Sequence, residues 1–132
     1  MIVTGVLSCD VVKVWKTVEP LIEKALGPGE TTNQILTKLY CKEAQLWSAF
    51  EEGVPTAVVI TEIVTRETGD KACNIWAASG TGLNNWFAHL AMIEAWAKEN
   101  GCKYVTVERG RKGWSRLMND YKVTHVTLEK EI

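Results

Sequence analysis

Two glutamates in this sequence are candidates for acid–base chemistry. Glu62 is flanked by Ile60 and Val64 on one face of a predicted strand, and Glu108 stands at the end of another predicted strand. Burial without a cationic partner raises the pKa of a carboxyl group toward the range useful to a general base. Each glutamate is therefore either a catalytic base or the structural partner of an arginine. The arginines that could form such a pair are Arg66, Arg109 and Arg111.

The stretch "IWAASGTGLNNWFAHL" places two glycines and two hydroxyl side chains between an apolar strand and a helix. Backbone N–H groups at a helix N-terminus bind phosphate groups, and glycine lets the backbone approach closely. The segment therefore predicts either a phosphate-binding loop or a tight turn of small residues. Replacement of Gly80 and Gly82 with valine is expected to block phosphate approach and to leave the fold mostly intact. The residues concerned are Ser79, Gly80, Thr81, Gly82 and Leu83.

The composition excludes several classes of function. The chain has 132 residues, which predicts a single domain over residues 1–132 with its own core. Its 15 basic and 16 acidic residues are interleaved, so we expect no nucleic-acid partner and no membrane partner. The four cysteines form no C-x-x-C pair, and we predict no metal site. Without a signal-peptide pattern or a long apolar run, the sequence predicts a soluble cytoplasmic protein.

Two helices are predicted in the first third of the chain. Apolar residues recur at helical spacing over residues 11–26, with Asp10 as the predicted N-cap. Pro20 removes one helical donor and predicts a kink or a break. Thr31 and Gln34 have the spacing of a capping box, which predicts a second helix ending near residue 40.

From residue 44 onward the hydrophobic period changes from helical to extended. We predict an α/β (α+β) fold with a mixed sheet: an antiparallel meander of three strands followed by β-α-β-α-β, with helices on both faces. The strand at 103–108 is expected beside the third meander strand and parallel to it. A small-molecule site is expected where the strand pairing changes, near the end of that third strand. The predicted strands are residues 2–7, 44–52, 56–67, 72–78, 102–108 and 123–132, and the later helices are residues 83–99 and 111–121.

This order of elements resembles the GNAT fold of the acyl-CoA N-acyltransferases. More narrowly, several segments are similar to a family of small GNAT-like proteins encoded by tailed phages and prophages. The glycine–tryptophan segment and the lysine–glutamate tail are the more distinctive parts of this similarity. The segments are "DVVKVWKTVEPLIEKAL", "LWSAFEEG", "VVITEIV", "IEAWAKENGC" and "ERGRKGWSRLMNDYKVTHVTLEKEI".

The resemblance implies that acetyl-CoA or CoA is the cofactor and that its pyrophosphate lies against the loop that begins at Ala78. In GNAT enzymes a glutamine or arginine stands at the position of Ala78, so this sequence departs from the pattern there. Arg111, in "GRKGW", either reaches the phosphates of the coenzyme or is a solvated loop residue. The implied cofactor-binding residues are Ala78, Ser79, Gly80, Thr81, Gly82, Leu83 and Arg111.

The same resemblance implies catalytic roles. Glu62 or Glu108 would act as the base that takes a proton from the acceptor amine. The usual acid is a tyrosine, and Met118 stands in its place here, whereas Tyr121 is predicted to be a packing residue. The acid is therefore the part of the catalytic pattern that this sequence lacks.

Two functions follow from the resemblance. The first is an acyl-CoA-dependent N-acyltransferase of phage origin acting on an unknown small-molecule or protein amine. The second is a catalytically inactive GNAT-fold phage protein that serves as a binding or virion-associated module. A homodimer is compatible with either function, and Trp86 would then line a groove or a dimer seam. The expected location is the host cytoplasm, with the virion as the alternative.

Overall fold

The computed structural model describes residues 2–81, 89–108, 118, 120–124 and 128–132. Within these residues, five strands form one sheet and three helices pack against it. The elements are β1 (Ile2–Val6), α1 (Val11–Ala25), α2 (Thr32–Tyr40), β2 (Gln45–Glu51), β3 (Val54–Thr65), β4 (Lys71–Gly80), α3 (Leu90–Glu99) and β5 (Cys102–Val107).

The strands lie in the sheet in their chain order, from β1 to β5. The first four pair antiparallel, and β5 pairs parallel with β4. The short turns between β2, β3 and β4 permit antiparallel pairing, whereas the connection through α3 is long enough for a parallel crossover. This topology confirms the predicted meander, the leading strand and the parallel strand after α3.

The two faces of the sheet carry separate apolar clusters, which confirms the predicted helices on both faces. We call them the α1–α2 face and the α3 face. Successive side chains of a strand point to opposite faces, so the same strands contribute residues to both clusters. The α1–α2 cluster includes Val18, Ile22, Ile35, Leu39, Leu46, Val58, Ile60 and Ala77, and the α3 cluster includes Trp47, Val59, Cys73, Ile75, Ile93, Ala97 and Met118.

α1 begins after the predicted N-cap residue, Asp10, but differs from the expectation at Pro20. The helix runs without a break from Val11 to Ala25, with Pro20 inside it. Of the two predicted effects of Pro20, the break is therefore wrong and the kink stays a prediction. Packing of Val18 and Ile22 on the sheet holds the helix through the proline. Asp10 stands at the N-cap position, but its carboxylate caps no backbone N–H and instead lies 3.1 Å from Nζ of Lys13.

The start of α2 follows the prediction. Oγ1 of Thr31 accepts a hydrogen bond from the backbone N–H of Gln34 at 3.2 Å. Oε1 of Gln34 accepts one from the backbone N–H of Thr31 at 3.1 Å. Two of the N–H groups that a helix leaves unpaired at its start are thereby satisfied, and the capping box is confirmed.

The C-terminal half differs from the prediction at the end of β4 and in the last predicted strand. β4 continues to Gly80, two residues beyond the predicted end. The predicted strand 123–132 is wrong for its described residues, because residues 123–124 and 128–132 are not in a strand and Val123 and Leu128 are exposed. Residues 83–88, 111–117, 119 and 125–127 of the later predicted elements lie outside the described residues.

No helix among the described residues is both long enough and apolar enough to cross a bilayer.

Gly80 is packed against the backbone of β3. Its φ is +123°, and a Cβ atom at this position would overlap the carbonyl oxygen of Thr56 and the Cα atom of Ala57. The backbone N–H of the next residue, Thr81, donates a hydrogen bond to the same Thr56 oxygen at 3.0 Å. The expectation that Gly80 could be replaced by valine without disturbing the fold is therefore wrong, because β3 occupies the space of the side chain.

Gly80→Ala should lower the free energy of unfolding by about 3 kcal/mol or more, because backbone strain and overpacking add at this position. Gly53→Ala is the matched control, since Gly53 also has positive φ (78°) but has nothing within 4 Å of the place a Cβ atom would take. The control should lose about 1–2 kcal/mol. Urea unfolding of both variants measures the difference, and equal losses would contradict the close contact with β3.

The four cysteines differ in their surroundings. Cys9 and Cys41 are exposed, whereas Cys73 is buried under α3. Burial, with a further contribution from Cys102, raises the pKa of the Cys73 thiol to about 11. The thiolate is the reactive form, so Cys73 should be protected both by its surroundings and by its protonation.

In native protein at about pH 8, iodoacetamide should modify Cys9 and Cys41 and leave Cys73 unmodified, because only about one Cys73 thiol in a thousand is ionised there. In denaturant all three should react at similar rates. Mass spectrometry of peptides from both reactions measures this. Native labelling of Cys73 as fast as that of Cys9 would show that the α3 face is open.

Candidate functional site

The sheet opens between β4 and β5. The last pair of residues across these strands is Ile75 with Val107, where β5 ends. β4 continues to Gly80, and within the described part of the chain residues 77–80 pair only with β3. We call this opening the fork. It lies along residues 76–80 of β4, on the side that faces away from β3. This change of pairing lies where the sequence predicted it, near the end of the third meander strand.

A β-bulge marks the start of the fork. Ile60 of β3 pairs with Ala77, but the next residue, Thr61, pairs with Ile75. Trp76 is therefore an extra residue on β4. As a result Trp76 and Ala77 both lie on the α1–α2 face, although consecutive strand residues ordinarily point to opposite faces.

The loop between α1 and α2 fixes the ring of Trp76. Its indole Nε1–H donates to Oε2 of Glu30 at 3.0 Å. Oε1 of the same carboxylate accepts the backbone N–H of Gly27 at 2.7 Å. The helix connection and the bulge are thus tied together through one carboxylate, 46 residues away from the tryptophan in the sequence.

An ammonium group lies above this ring. Nζ of Lys38, in the last turn of α2, is 5.1 Å from the centroid of the Trp76 ring, within the range of a cation–π interaction. The same Nζ is 4.0 Å from Oε2 of Glu62. The side chains of Lys38 and Glu62 are 39% and 24% exposed, so both remain in contact with solvent.

Glu62 belongs to a row of polar side chains that crosses three strands. It pairs in register with Asn74 of β4, which pairs with Thr106 of β5. Nδ2 of Asn74 donates to Oε1 of Glu62 at 3.4 Å, and Oγ1 of Thr106 donates to Oδ1 of Asn74 at 3.2 Å. Asn74 is only 3% exposed, so these hydrogen bonds satisfy an amide that would otherwise be costly to bury.

The alternative partner expected for Glu62 was an arginine. The guanidinium of Arg66 instead lies 4.4 Å from the centroid of the Tyr104 ring, and Glu62 contacts Lys38 and Asn74. Pairing of Glu62 with Arg66 is therefore wrong. The other two candidate arginines, Arg109 and Arg111, lie outside the described residues.

Glu108 follows β5 directly and is exposed at the edge of the fork. The structure does not bring the two candidate bases together, because β4 lies between Glu62 on β3 and the end of β5. Glu62 is held in place by Lys38 and Asn74. Its assignment as the base remains a prediction, as does that of Glu108.

The predicted phosphate loop is partly strand. Ala78, Ser79 and Gly80 pair with β3, and Ser79 is buried. Thr81 is exposed, but its backbone N–H already donates to Thr56. The remaining predicted coenzyme ligands, Gly82, Leu83 and Arg111, lie outside the described residues. The pyrophosphate contact of these residues therefore stays a prediction.

The edge of β4 at the fork has backbone groups that suit an extended ligand. In a strand, alternate residues direct their N–H and C=O groups to opposite sides. Over residues 76–80 one of these sides faces β3, and the other faces the fork. An extended ligand with amide groups, such as the pantetheine arm of coenzyme A, matches this edge in the way an added strand would.

The residues at and near the usual position of the catalytic acid have structural roles. Met118, at the position of the usual tyrosine, is 6% exposed and packs in the α3 cluster. Tyr121 packs against the same cluster, which confirms its predicted packing role. Its hydroxyl donates to Oε2 of Glu94 at 2.7 Å. Burial raises the pKa of Tyr121, and this hydrogen bond raises it further.

Sequence reasoning missed Lys38, Asn74 and Trp76 as members of the site. Asn74 carried one signal, because asparagine is depleted in strands and stands here between two apolar residues. Lys38 carried none, since a lysine in the last turn of a helix is ordinary. Within the described ranges, no group of three or more histidine, cysteine, aspartate or glutamate side chains is placed to hold a metal ion.

The fold is that of known acetyltransferases. No protein-family model and no curated protein sequence matches this chain. A GNAT family acetyltransferase from Staphylococcus aureus is 16% identical and has a TM-score of 0.68, with 99% of this chain and 98% of that chain covered. An aminoglycoside antibiotic 6'-N-acetyltransferase from Acinetobacter haemolyticus is 13% identical, with a TM-score of 0.69 and coverage of 100% and 99%.

A third similar structure is the ribosomal-protein-alanine N-acetyltransferase from Brucella melitensis, which is 13% identical with a TM-score of 0.67 and coverage of 100% and 98%. The names of the Acinetobacter and Brucella proteins state different acceptors, an aminoglycoside and an alanine of a ribosomal protein. The match extends over nearly the whole length of each chain. The chain described here has the GNAT acetyltransferase fold.

Proposed function

We propose that this protein is an acyl-CoA-dependent N-acyltransferase of phage origin. The observation that carries the proposal is the fork, where β4 continues past its last pair with β5 and directs backbone groups to an edge that no described strand occupies. Solved structures with this fold include acetyltransferases that act on quite different amines. The fold therefore supports the reaction class and leaves the acceptor amine open.

Acetyl-CoA is the proposed donor substrate, and it would supply a thioester carbonyl to the site. The pantetheine arm would lie along residues 76–80 of β4. Its pyrophosphate would lie beside Gly82, Leu83 and Arg111, as the sequence resemblance implies. Glycine at 82 and a guanidinium at 111 are the residue types that suit this role, because one allows close backbone approach and the other pairs with phosphate oxygens.

Glu62 is the proposed general base. Asn74 donates to its Oε1, and its Oε2 lies toward Lys38 of α2. A base needs such fixed orientation and access to solvent, so that the proton it takes can leave. No described residue is placed as the acid, because Met118 is buried and Tyr121 donates to Glu94. The leaving thiolate would therefore take its proton from water.

A second candidate function is a GNAT-fold binding or virion-associated module without turnover. Two observations favour it. The candidate base, Glu62, already contacts Lys38 and Asn74. A buried methionine, Met118, stands where the acid usually is. Phage origin, location in the host cytoplasm or the virion, and a homodimer are proposals that rest on the sequence resemblance. The near-neutral charge, −1 overall, supports a partner other than nucleic acid or membrane.

Acetyl-CoA should bind the purified protein in calorimetric titration, and an assay with a panel of amines should then show acyl transfer. Glu62→Gln should keep the affinity for acetyl-CoA and slow transfer by about 10² to 10⁴, the usual contribution of a positioned base. Glu67→Gln is the matched control, because Glu67 is an exposed carboxylate in the turn before β4, at the end away from the fork. This control should leave the rate unchanged.

If wild-type protein shows neither heat nor a thermal shift with millimolar acetyl-CoA, the binding-module function is correct and the acyltransferase function is wrong. If Glu62→Gln transfers at the wild-type rate, Glu62 is not the base. Glu108→Gln then tests the remaining candidate in the same assay.

A further inference from the structure

The ammonium group of Lys38 occupies a site built from a carboxylate and an aromatic ring. It lies 4.0 Å from Oε2 of Glu62 and 5.1 Å from the centroid of the Trp76 ring. We propose that Lys38 is itself an acyl acceptor, so that the protein acylates its own Nζ from an acyl-CoA with Glu62 as the base. This inference rests on the proposed acyltransferase function.

The orientation of Glu62 supports this role. Asn74 donates to Oε1, and Asn74 is fixed in turn by the hydroxyl of Thr106. The other oxygen, Oε2, is the one nearest to Nζ of Lys38. The 4.0 Å separation exceeds a hydrogen bond, so the ammonium is held near the base without being locked against it.

The position of Trp76 brings this amine to the fork. Trp76 is the extra residue of the β4 bulge and follows the last residue of β4 that pairs with β5. Its ring is fixed by the hydrogen bond to Glu30, so the cation above it has a defined place. An acyl donor extended along residues 76–80 would therefore lie beside the residue that supports the Lys38 ammonium.

The step balances without any further reactant. The Lys38 ammonium gives one proton to the Glu62 carboxylate, and the free Nζ attacks the thioester carbonyl carbon. A C–N bond forms and the C–S bond breaks, and the second Nζ proton passes to solvent as the neutral amide is produced. The coenzyme leaves as a thiolate that takes a proton from water, and Glu62 returns its proton to solvent.

Lys103 provides a matched comparison within the same chain. Its Nζ also lies near a carboxylate, 3.9 Å from Asp70, and near an aromatic ring, 5.6 Å from the centroid of Tyr104. It stands at the other end of the β4–β5 ladder from the fork, because β5 begins at Cys102. Its side chain is 63% exposed, compared with 39% for Lys38.

The experiment incubates purified protein with acetyl-CoA and maps acetylated lysines by mass spectrometry. Lys38 should gain one acetyl group at a fractional rate that is independent of protein concentration, while Lys103 stays unmodified. Lys38→Arg should abolish this modification, and Lys103→Arg should leave it unchanged. Glu62→Gln should slow it by about 10² to 10⁴. Circular dichroism and thermal unfolding verify that each variant is folded.

A second labelling uses the N-hydroxysuccinimide ester of acetic acid, which acetylates lysines without any coenzyme site. With this reagent Lys103 should react faster than Lys38, because it is more exposed. With acetyl-CoA the order should reverse. The reversal separates a directed transfer from general chemical acetylation.

Calorimetric binding of acetyl-CoA separates the two ways in which the inference could be wrong. If acetyl-CoA binds and amines in solution are acylated but Lys38 is not, the self-acylation is wrong and the acyltransferase function stands. If acetyl-CoA does not bind, both are wrong. Equal acetylation of Lys38 and Lys103, or an unchanged rate in Glu62→Gln, would show that the reaction is chemical and overturn the inference.

Discussion

The extra residue in β4 is the constraint on which the rest of the site depends. Side chains alternate along a strand, so one inserted residue shifts every later side chain to the other face. With the bulge, Ala77 joins the α1–α2 cluster beside Val58 and Ile60, and Trp76 lies on the same face. The same irregularity coincides with the end of the pairing to β5. The change of face in the core and the opening of the fork therefore begin at the same place in β4.

Beyond the bulge, β4 is held by β3 alone among the described strands. The close approach of Gly80 to Thr56 and Ala57 shows how tightly this contact is made. Thr56 is itself an extra residue on β3, since Ala57 pairs with Ala49 while Pro55 pairs with Phe50. The small residues that end β4 thus serve the contact between two irregular strands. This contact pairs one edge of β4 with β3, while the other edge faces the fork.

Much of the fold could be predicted from local patterns. Residue types and the hydrophobic period within short segments predict three features. These are the capping box at Thr31 and Gln34, the meander and the parallel strand after α3. The bulge could not be predicted, because "NIWAAS" is apolar over both faces and shows no interruption of the period. The continuity of α1 through Pro20 depends on packing against the sheet, which no local pattern contains.

The site was predictable only in part, for a related reason. Glu62 was recognisable because a carboxylate stands between apolar residues of one strand face. Lys38 reaches it from α2, and Glu30 reaches Trp76 from the loop before that helix. Such contacts join residues far apart in the chain. A lysine in the last turn of a helix and a glutamate in a loop are common, so neither residue indicates the contact that it makes. The contacts are fixed by how the helices lie on the sheet.

The two oxygens of Glu62 have different partners, and this difference bears on its role. Oε1 completes the hydrogen bonds of a buried amide, so it contributes to the stability of the sheet. Oε2 lies near a half-exposed ammonium at 4.0 Å, and pairs of this kind contribute only about 0–1 kcal/mol. Stability accounts for the contact with Asn74, and a cation–π interaction of about 0.5–1 kcal/mol contributes to the placement of Lys38 above Trp76. Because this pairing is weak, the Lys38 amine can move away from Glu62 toward an acyl donor beside Trp76, as the proposed self-acylation requires.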